Sequence, residues 1–339
     1  MNAECIGVNK SGAALVLVIW VVMLLSLLVM GIALTMQVET KFASLNRTKF
    51  KCDVLARAGI ELAKQQLMAD IDPTQDTGAD AFKEKWCTNP DLYENYLMGD
   101  GVIMGDGVIN VKVLPEDGKL NINTLSPTPE ALSYFFQSLQ APPADLDVLV
   151  DSIQDWVDTD DYSRINGAEL FYYSRLVPPY RPKNSPIDRL EELLLVRGMT
   201  PDLFYGRSSG HPLRESLTGL SAGRVNVNVA PATVLATLLG IEVAQAEQIV
   251  SYRNGDDGVA GTEDDRVFYS RKDLPLASSF ISAEEWKVLQ NVLDFKSHFF
   301  TIISAGRIGN ISKTIRVTVS RDQDGIKTLS WLEEADALR

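Results

Sequence analysis

A chain of 339 residues with 45 Asp and Glu against 32 Lys and Arg carries a formal charge of −13, which leaves no basic face of the kind that releases counterions from a nucleic-acid backbone. Its two histidines, His211 and His298, provide little material for a His-rich metal centre or a Ser-His-Asp triad. No GxSxG, HExxH, CxxC or phosphate-cradling glycine loop anchors a catalytic reading, and the length admits two modest domains, each with a core of its own.

The first element is apolar. From Ser11 to Val38 no side chain ionises, and roughly 20 apolar residues suffice to cross the hydrocarbon core of a bilayer. This predicts one membrane-spanning helix. A cleavable secretory signal is the alternative, but it requires a shorter apolar run and a small-residue cleavage site, of which MGIALTMQVET is a weak version. Charge counting does not orient the span, because Lys10 lies on its short side while Lys41, Arg47, Lys49 and Lys51 crowd the other. The helix is expected to continue: Val54, Leu55, Ala58 and Leu62 follow helical spacing with Arg57, Glu61, Lys64 and Gln65 between them. Its first half is lipid-soluble and its second half needs a protein surface, until DPTQDTGAD breaks it.

Cys5 precedes the apolar segment, and Cys52 and Cys87 follow it. In an oxidising compartment Cys52–Cys87 is the one candidate intrachain bridge on that side, and spacing alone does not bring the two together. Strands come next. In GVINVKVL, Ile109, Val111 and Val113 alternate with Asn110 and Lys112; TIRVTVSRD repeats the alternation at Ile315, Val317 and Val319. HFFTIISAG and IKTLSWLEE read as neighbours of the latter, so the β signal is split between the two ends of the soluble region.

The interval reads as helical. PADLDVLVDSIQDWV predicts one helix. SPIDRLEELLLVRGM predicts another, with Ser185 as N-cap, Pro186 at its first position, Asp188 as return partner and Gly198 as its stop. APATVLATLLG predicts a third, opened by Pro231 and stopped at Gly240. The fold class is therefore α+β: a long N-terminal helix packed on a small antiparallel sheet, with a large mainly helical domain inserted between strands. An internal echo, KLNINTLSP at Lys119 and RVNVNVAP at Arg224, suggests two related subdomains in which asparagine amides tie loop backbone.

The second echo runs into LLGIEVAQAEQIV, which looks like a helix-hairpin-helix. In that motif two glycines let backbone N–H groups approach a phosphate; here Gly240 is present, but Glu242 stands where the second glycine belongs, and a carboxylate repels phosphate. Two acidic loops carry more. In DWVDTDDYSRINGAE, Asp158, Asp160, Asp161, Asn166 and Glu169 lie close along the chain, and Asp158, Asp160 and Glu169 match the first, third and twelfth positions of an EF-hand loop before Tyr162 and Ser163 break the match. In NGDDGVAGTEDDR, Asp256, Asp257, Thr262, Asp264 and Asp265 surround glycines that let the loop curl around an ion. Hard oxygen ligands at this density suit Ca²⁺ better than zinc or copper, the alternative being a solvated acidic turn.

Together these stretches resemble the type IV pilin superfamily, and within it the large minor pseudopilins of type II secretion, the general secretion pathway protein K family. NKSGAALVLVIW is similar to its prepilin-peptidase site, LARAGIELAKQQL to its distal helix, and KLNINTLSP, DWVDTDD, NGAELFYY, SPIDRLEELLLVRGMT and RVNVNVAP to further signature stretches. The resemblance implies a prepilin leader at 1–12, an assembly helix at 13–70, a pilin-like α/β domain split between 71–118 and 297–339, and an inserted helical domain at 119–296. It implies a membrane peptidase that cuts after Gly12 and methylates Ala13, and a single-pass inner-membrane protein with its globular part in the periplasm. Its role would be non-enzymatic: a pseudopilus tip subunit that starts assembly with other minor pseudopilins, through Val54, Leu55, Ala58 and Leu62, on an inner-membrane assembly platform. Secreted cargo is a further candidate contact, and the family's calcium would fall on the acidic loops. Ordinary pilins carry a glutamate five residues after the cut, paired with a neighbouring amine; here that position is Leu17, and a subunit with nothing above it has no partner for such a charge. The competing readings are a membrane-anchored DNA receptor using the hairpin near Gly240 and a tethered hydrolase.

Overall fold

The structure, a computed structural model, describes residues 10–71, 78–88, 101–125, 128–139, 143–206, 212–274, 287 and 289–334. Its dominant feature is a single 60-residue helix, α1 (Lys10–Ala69), about 90 Å long at 1.5 Å per residue. The two halves differ as the sequence predicts. Residues 14–47 are exposed throughout, and an apolar window near the N-terminus has a mean hydropathy of 3.0 with none of it buried. From Cys52 onward one stripe turns inward: Cys52, the adjacent Leu55 and Ala56, Ile60, Ala63 and Leu67 are buried, one helical turn after another.

That stripe lies on a five-stranded antiparallel sheet, ordered β1 (Val102–Met104), β2 (Gly107–Pro115), β7 (Phe299–Ile308), β8 (Ile311–Asp322) and β9 (Gly325–Glu333). Register places Val111 opposite Ser304, Val113 opposite Ile302, and Ile302 opposite Val317, so alternate residues of three strands face α1 and form one core with Trp86 and Phe300. Two glycines bring the layers close: a Cβ at Gly306 would overlap the Cys52 carbonyl oxygen, and one at Gly59 the Ser304 hydroxyl.

Between β2 and β7 the chain leaves the sheet and builds a second core from Phe135, Phe136, Ile153, Trp156, Tyr173, Phe204 and Leu235, among others. Its longest helices are Pro143–Val157 and Val243–Arg253. Two short parallel pairs stitch it together: β3 (Leu120–Asn121) with β4 (Leu217–Thr218), and β5 (Val225–Asn226) with β6 (Leu293–Asp294). The internal echo is a structural one. The Asn121 side chain accepts the Asn123 N–H, while the Asn123 amide both donates to the Ile187 carbonyl and accepts the Ile187 N–H; Asn226 does the same for Asn228, which binds Phe268 through both its carbonyl and its N–H.

The same tie accounts for one failed expectation. No helix starts at Pro186; a short 3₁₀ segment, Leu190–Leu195, begins after Arg189 instead. The Ile187 backbone N–H and carbonyl are both taken by the Asn123 side chain, and Asp188 pairs with Lys183 rather than returning to a cap. Gly198, at φ 87°, packs on Leu149. The helix Ala232–Leu239 and its stop at Gly240, at φ 63°, are as expected.

The insert joins the sheet at the end farthest from the apolar half of α1. Trp86 stacks edge-on against Phe300 at 5.3 Å, at the start of β7, whereas the Cys52 thiol donates to the Ile311 carbonyl at the opposite end of that hairpin. The insert's entry and exit are fastened to each other there, since Asp117 accepts the N–H groups of His298 and Phe299.

Candidate functional site

The segment 158–169 extends from the C-terminal end of the helix Pro143–Val157, which positions Asp155, fully buried, beneath it. Asp155 accepts the Arg164 N–H at 3.1 Å and its Nη1 at 2.8 Å; the same Nη1 reaches Asp158 Oδ2 at 2.6 Å. Asp160 Oδ1 accepts the Tyr162 N–H at 2.8 Å, and Asn184 Nδ2 donates to the Asp160 carbonyl at 2.8 Å and to Asp161 Oδ1 at 3.1 Å. Asn166 donates to Asp151. Glu169 is only 4% exposed, and neither of its oxygens has a hydrogen-bond partner; Asp158 Oδ1 and Asn184 Oδ1 are likewise buried and unpartnered. Burial, and then the charges of Asp155, Asp158 and Asp161, push the Glu169 carboxyl up to about 7. Arg164 reaches two of these carboxylates, Asp155 and Asp158, and the orphaned oxygens of Asp158, Glu169 and Asn184 are hard donors of the kind a divalent cation takes.

The second loop is built differently. Asp264 Oδ2 accepts the N–H groups of Asp256 and Asp257 at 2.6 and 3.2 Å, and its Oδ1 accepts the Thr262 hydroxyl at 2.7 Å; these bonds hold its carboxyl down at about 2. Asp257 accepts the Val259 N–H, Asp256 pairs with Arg266, and Asp265 accepts the Gly261 N–H, leaving Asp265 Oδ1 as the orphan. Here the loop's own donors take most of the oxygens that the density of acids offered to an ion. The first loop holds the stronger case.

Sequence reasoning missed a third cluster. Ligand oxygens of Asp70, Asp80 and Glu84 lie within 4.8 Å of one another and could hold an ion. Arg321 already lies among them, with Nη1 to Asp70 at 2.6 Å and Nη2 to both oxygens of Asp80 at 2.7 Å. Burial and Glu84 push the Asp70 carboxyl up to about 7 despite Arg321. Asp80 also binds Ser297, and its carbonyl accepts from Asn226, so the cluster ties α1, the sheet and the insert together. Its three acids lie within residues 70–84, but the Arg321 that meets them is 251 residues from Asp70 and no local pattern announces that contact.

Gly12 and Ala13 lie in the first turns of α1, and Leu17 is 65% exposed on its apolar half. The proposed assembly set does not share one face. Val54 is 48% exposed, Ala58 and Leu62 are half-buried, but Leu55 is buried against this chain's own sheet: it is one residue, about 100°, around the helix from Val54. The Cys52–Cys87 bridge is also corrected. No disulfide joins them: the Cys52 thiol donates to the Ile311 carbonyl, while Cys87 lies next to Trp86. Burial pushes the Cys87 thiol up to about 11. Glu242 heads the helix Val243–Arg253, where its N–H donates to Gln245 Oε1 at 3.0 Å, as a helix cap rather than a phosphate contact. Cys5 and His211 lie outside the described residues.

A groove of about 990 Å³ separates the insert from the outer sheet face, and among its basic residues Lys119 pairs with Glu116 and Arg316 with Glu334.

A long apolar helix packed on an antiparallel meander, with a helical region between its second and third strands in sheet order, is a pilin-like fold. Residues 118–205 match the family model described as type II secretion system (T2SS), protein K. The chain is 24% identical over 333 residues to the type II secretion system protein K of Pseudomonas aeruginosa, covering 94% of this chain and 90% of that one. It is 26% identical over 164 residues to the protein of the same description from Pectobacterium carotovorum subsp. carotovorum, covering 47% and 45%. Its fold matches a chain in the crystal structure of the GspK-GspI-GspJ complex from enterotoxigenic Escherichia coli, with a TM-score of 0.67, 16% identity and coverage of 88% and 99%. Residues 118–205 thus carry that family's model, and the chain is similar over most of its length to type II secretion system protein K.

Proposed function

We propose that this chain is a minor pseudopilin that caps the periplasmic tip of a type II secretion pseudopilus and initiates its assembly. The observation that carries this reading is the site of the insert. It leaves the sheet at the end farthest from the apolar half of α1, where a subunit stacked above would have to sit. Leu17 supports it, since an apolar residue here requires no pairing with a neighbour's amine, whereas a carboxylate buried in a bilayer persists only where a partner repays it. Prepilin peptidase cuts after Gly12 and methylates Ala13; the apolar half of α1 then passes from the inner membrane into packing against sister helices, with the globular part in the periplasm. Two smaller minor pseudopilins, of the kind found in the GspK-GspI-GspJ complex, meet the partly exposed stripe of Val54, Ala58 and Leu62. Calcium binds the first acidic loop through Asp158, Asp161 and Glu169, with Asn184 beside them, and neutralises the oxygens left without donors; Asp160 turns the loop.

Gold labelling of an epitope placed in the insert tests the tip role on assembled filaments. Label at one end, once per filament, is expected; label along the shaft would overturn it.

A further inference from the structure

We propose that Arg164 is a built-in competitor of the cation at the first acidic loop: its guanidinium holds the carboxylates when the ion is absent and gives up Asp158 when the ion binds. The inference rests on the calcium reading above. One nitrogen, Nη1, bridges Asp155 Oδ1 at 2.8 Å and Asp158 Oδ2 at 2.6 Å, while Asp158 Oδ1 and both Glu169 oxygens are left without a donor. A single guanidinium charge therefore meets only part of the site, whereas a hard divalent cation gathers six to eight oxygens at about 2.3–2.6 Å. An ion on the free oxygen of Asp158 would share that carboxylate with a guanidinium of like sign, and the two positive charges repel at close range.

Leaving is easy for this side chain. The Arg164 backbone N–H donates separately to Asp155 at 3.1 Å, a bond that does not involve the guanidinium and ties the loop independently of it. The side chain is already 40% exposed, and its neighbours Tyr162 and Ile165 are 84% and 100% exposed, which leaves an open path to solvent. Asp158 thus exchanges an internal cation for an external one.

The test is calcium titration calorimetry on the full chain in detergent, with melting curves recorded on every variant. Arg164→Gln should bind calcium about tenfold or more tightly than the parent, as expected for removing a nearby like charge; Arg164→Lys, which keeps the charge, should bind close to the parent, and Glu169→Gln should lose the site. If Arg164→Gln binds equally or more weakly while Glu169→Gln still loses the site, the competitor role is overturned and the calcium reading stands. A lowered melting temperature of Arg164→Gln together with weakened binding assigns Arg164 a purely structural role and overturns it likewise. If the parent and Glu169→Gln behave alike, the calcium reading falls and takes the inference with it.

Discussion

The two halves of α1 are continuous in backbone and opposite in circumstance. Residues 14–47 are exposed, whereas Cys52, Ala56, Ile60, Ala63 and Leu67 are wholly buried against the sheet. As far as Val38 the first half is apolar around its circumference and carries no ionisable side chain, as a segment must be when its surroundings are lipid or other helices. The second half is amphipathic because one side has a fixed protein partner. The difference shows that apolarity alone does not identify an assembly face: in the second half the most apolar stripe is already spent on the chain's own core, and what remains for partners is the half-exposed stripe beside it.

The largest test of this contrast is Leu55→Asp. It places a carboxylate in the sheet core, and the loss of packing plus an unpaired buried charge should cost about 4 kcal/mol or more, read as loss of a cooperative melt; unchanged stability would mean that Leu55 faces a partner after all. Arg321→Met comes next. Removing the guanidinium leaves Asp70 and Asp80 uncompensated and should cost about 3–5 kcal/mol, with the insert loosened relative to the sheet in hydrogen exchange; protection equal to the parent at 78–88 and 295–298 would show that the cluster does not join them.

Smaller is a pH effect. Burial raises the Asp70 and Asp117 carboxyls to about 7 and about 6. A carboxyl raised in the folded state binds its proton more tightly there than when unfolded, so its contribution is full below the unfolded value near 4 and is lost as pH rises through 6–7. The melting temperature should therefore fall between pH 5 and pH 8, with a shallower fall in Asp70→Asn; a flat profile would contradict the raised values. Smallest in stability is Val54→Asp, within about 0.5 kcal/mol of the parent, yet it should abolish co-purification with the two smaller pseudopilins. Full recovery would remove this stripe from the interface.

What the sequence made legible follows the range of the interactions. α1, the alternating strands, the insertion between β2 and β7, and the helix ending at Gly240 all rest on local periodicity or turn chemistry, and all were readable. The helix expected at Ser185 failed because Asn123, 64 residues earlier, claims the Ile187 backbone. Val54 and Leu55 were read as one face because helical spacing gives a period but no origin: only the sheet decides which stripe is inward. The acidic loops were visible as composition. Which of them is short of hydrogen-bond donors was not, because that depends on backbone N–H groups whose directions only the folded loops fix.

The central claim is that the apolar half of α1 serves first in lipid and then among sister helices, after trimming at the glycine. Intact mass and N-terminal sequencing of the protein recovered from membranes test it most directly. The account predicts a methylated N-terminus at Ala13 with the whole of α1 beyond it retained. A soluble product lacking residues 14–38, or a chain still carrying its first twelve residues, would contradict it.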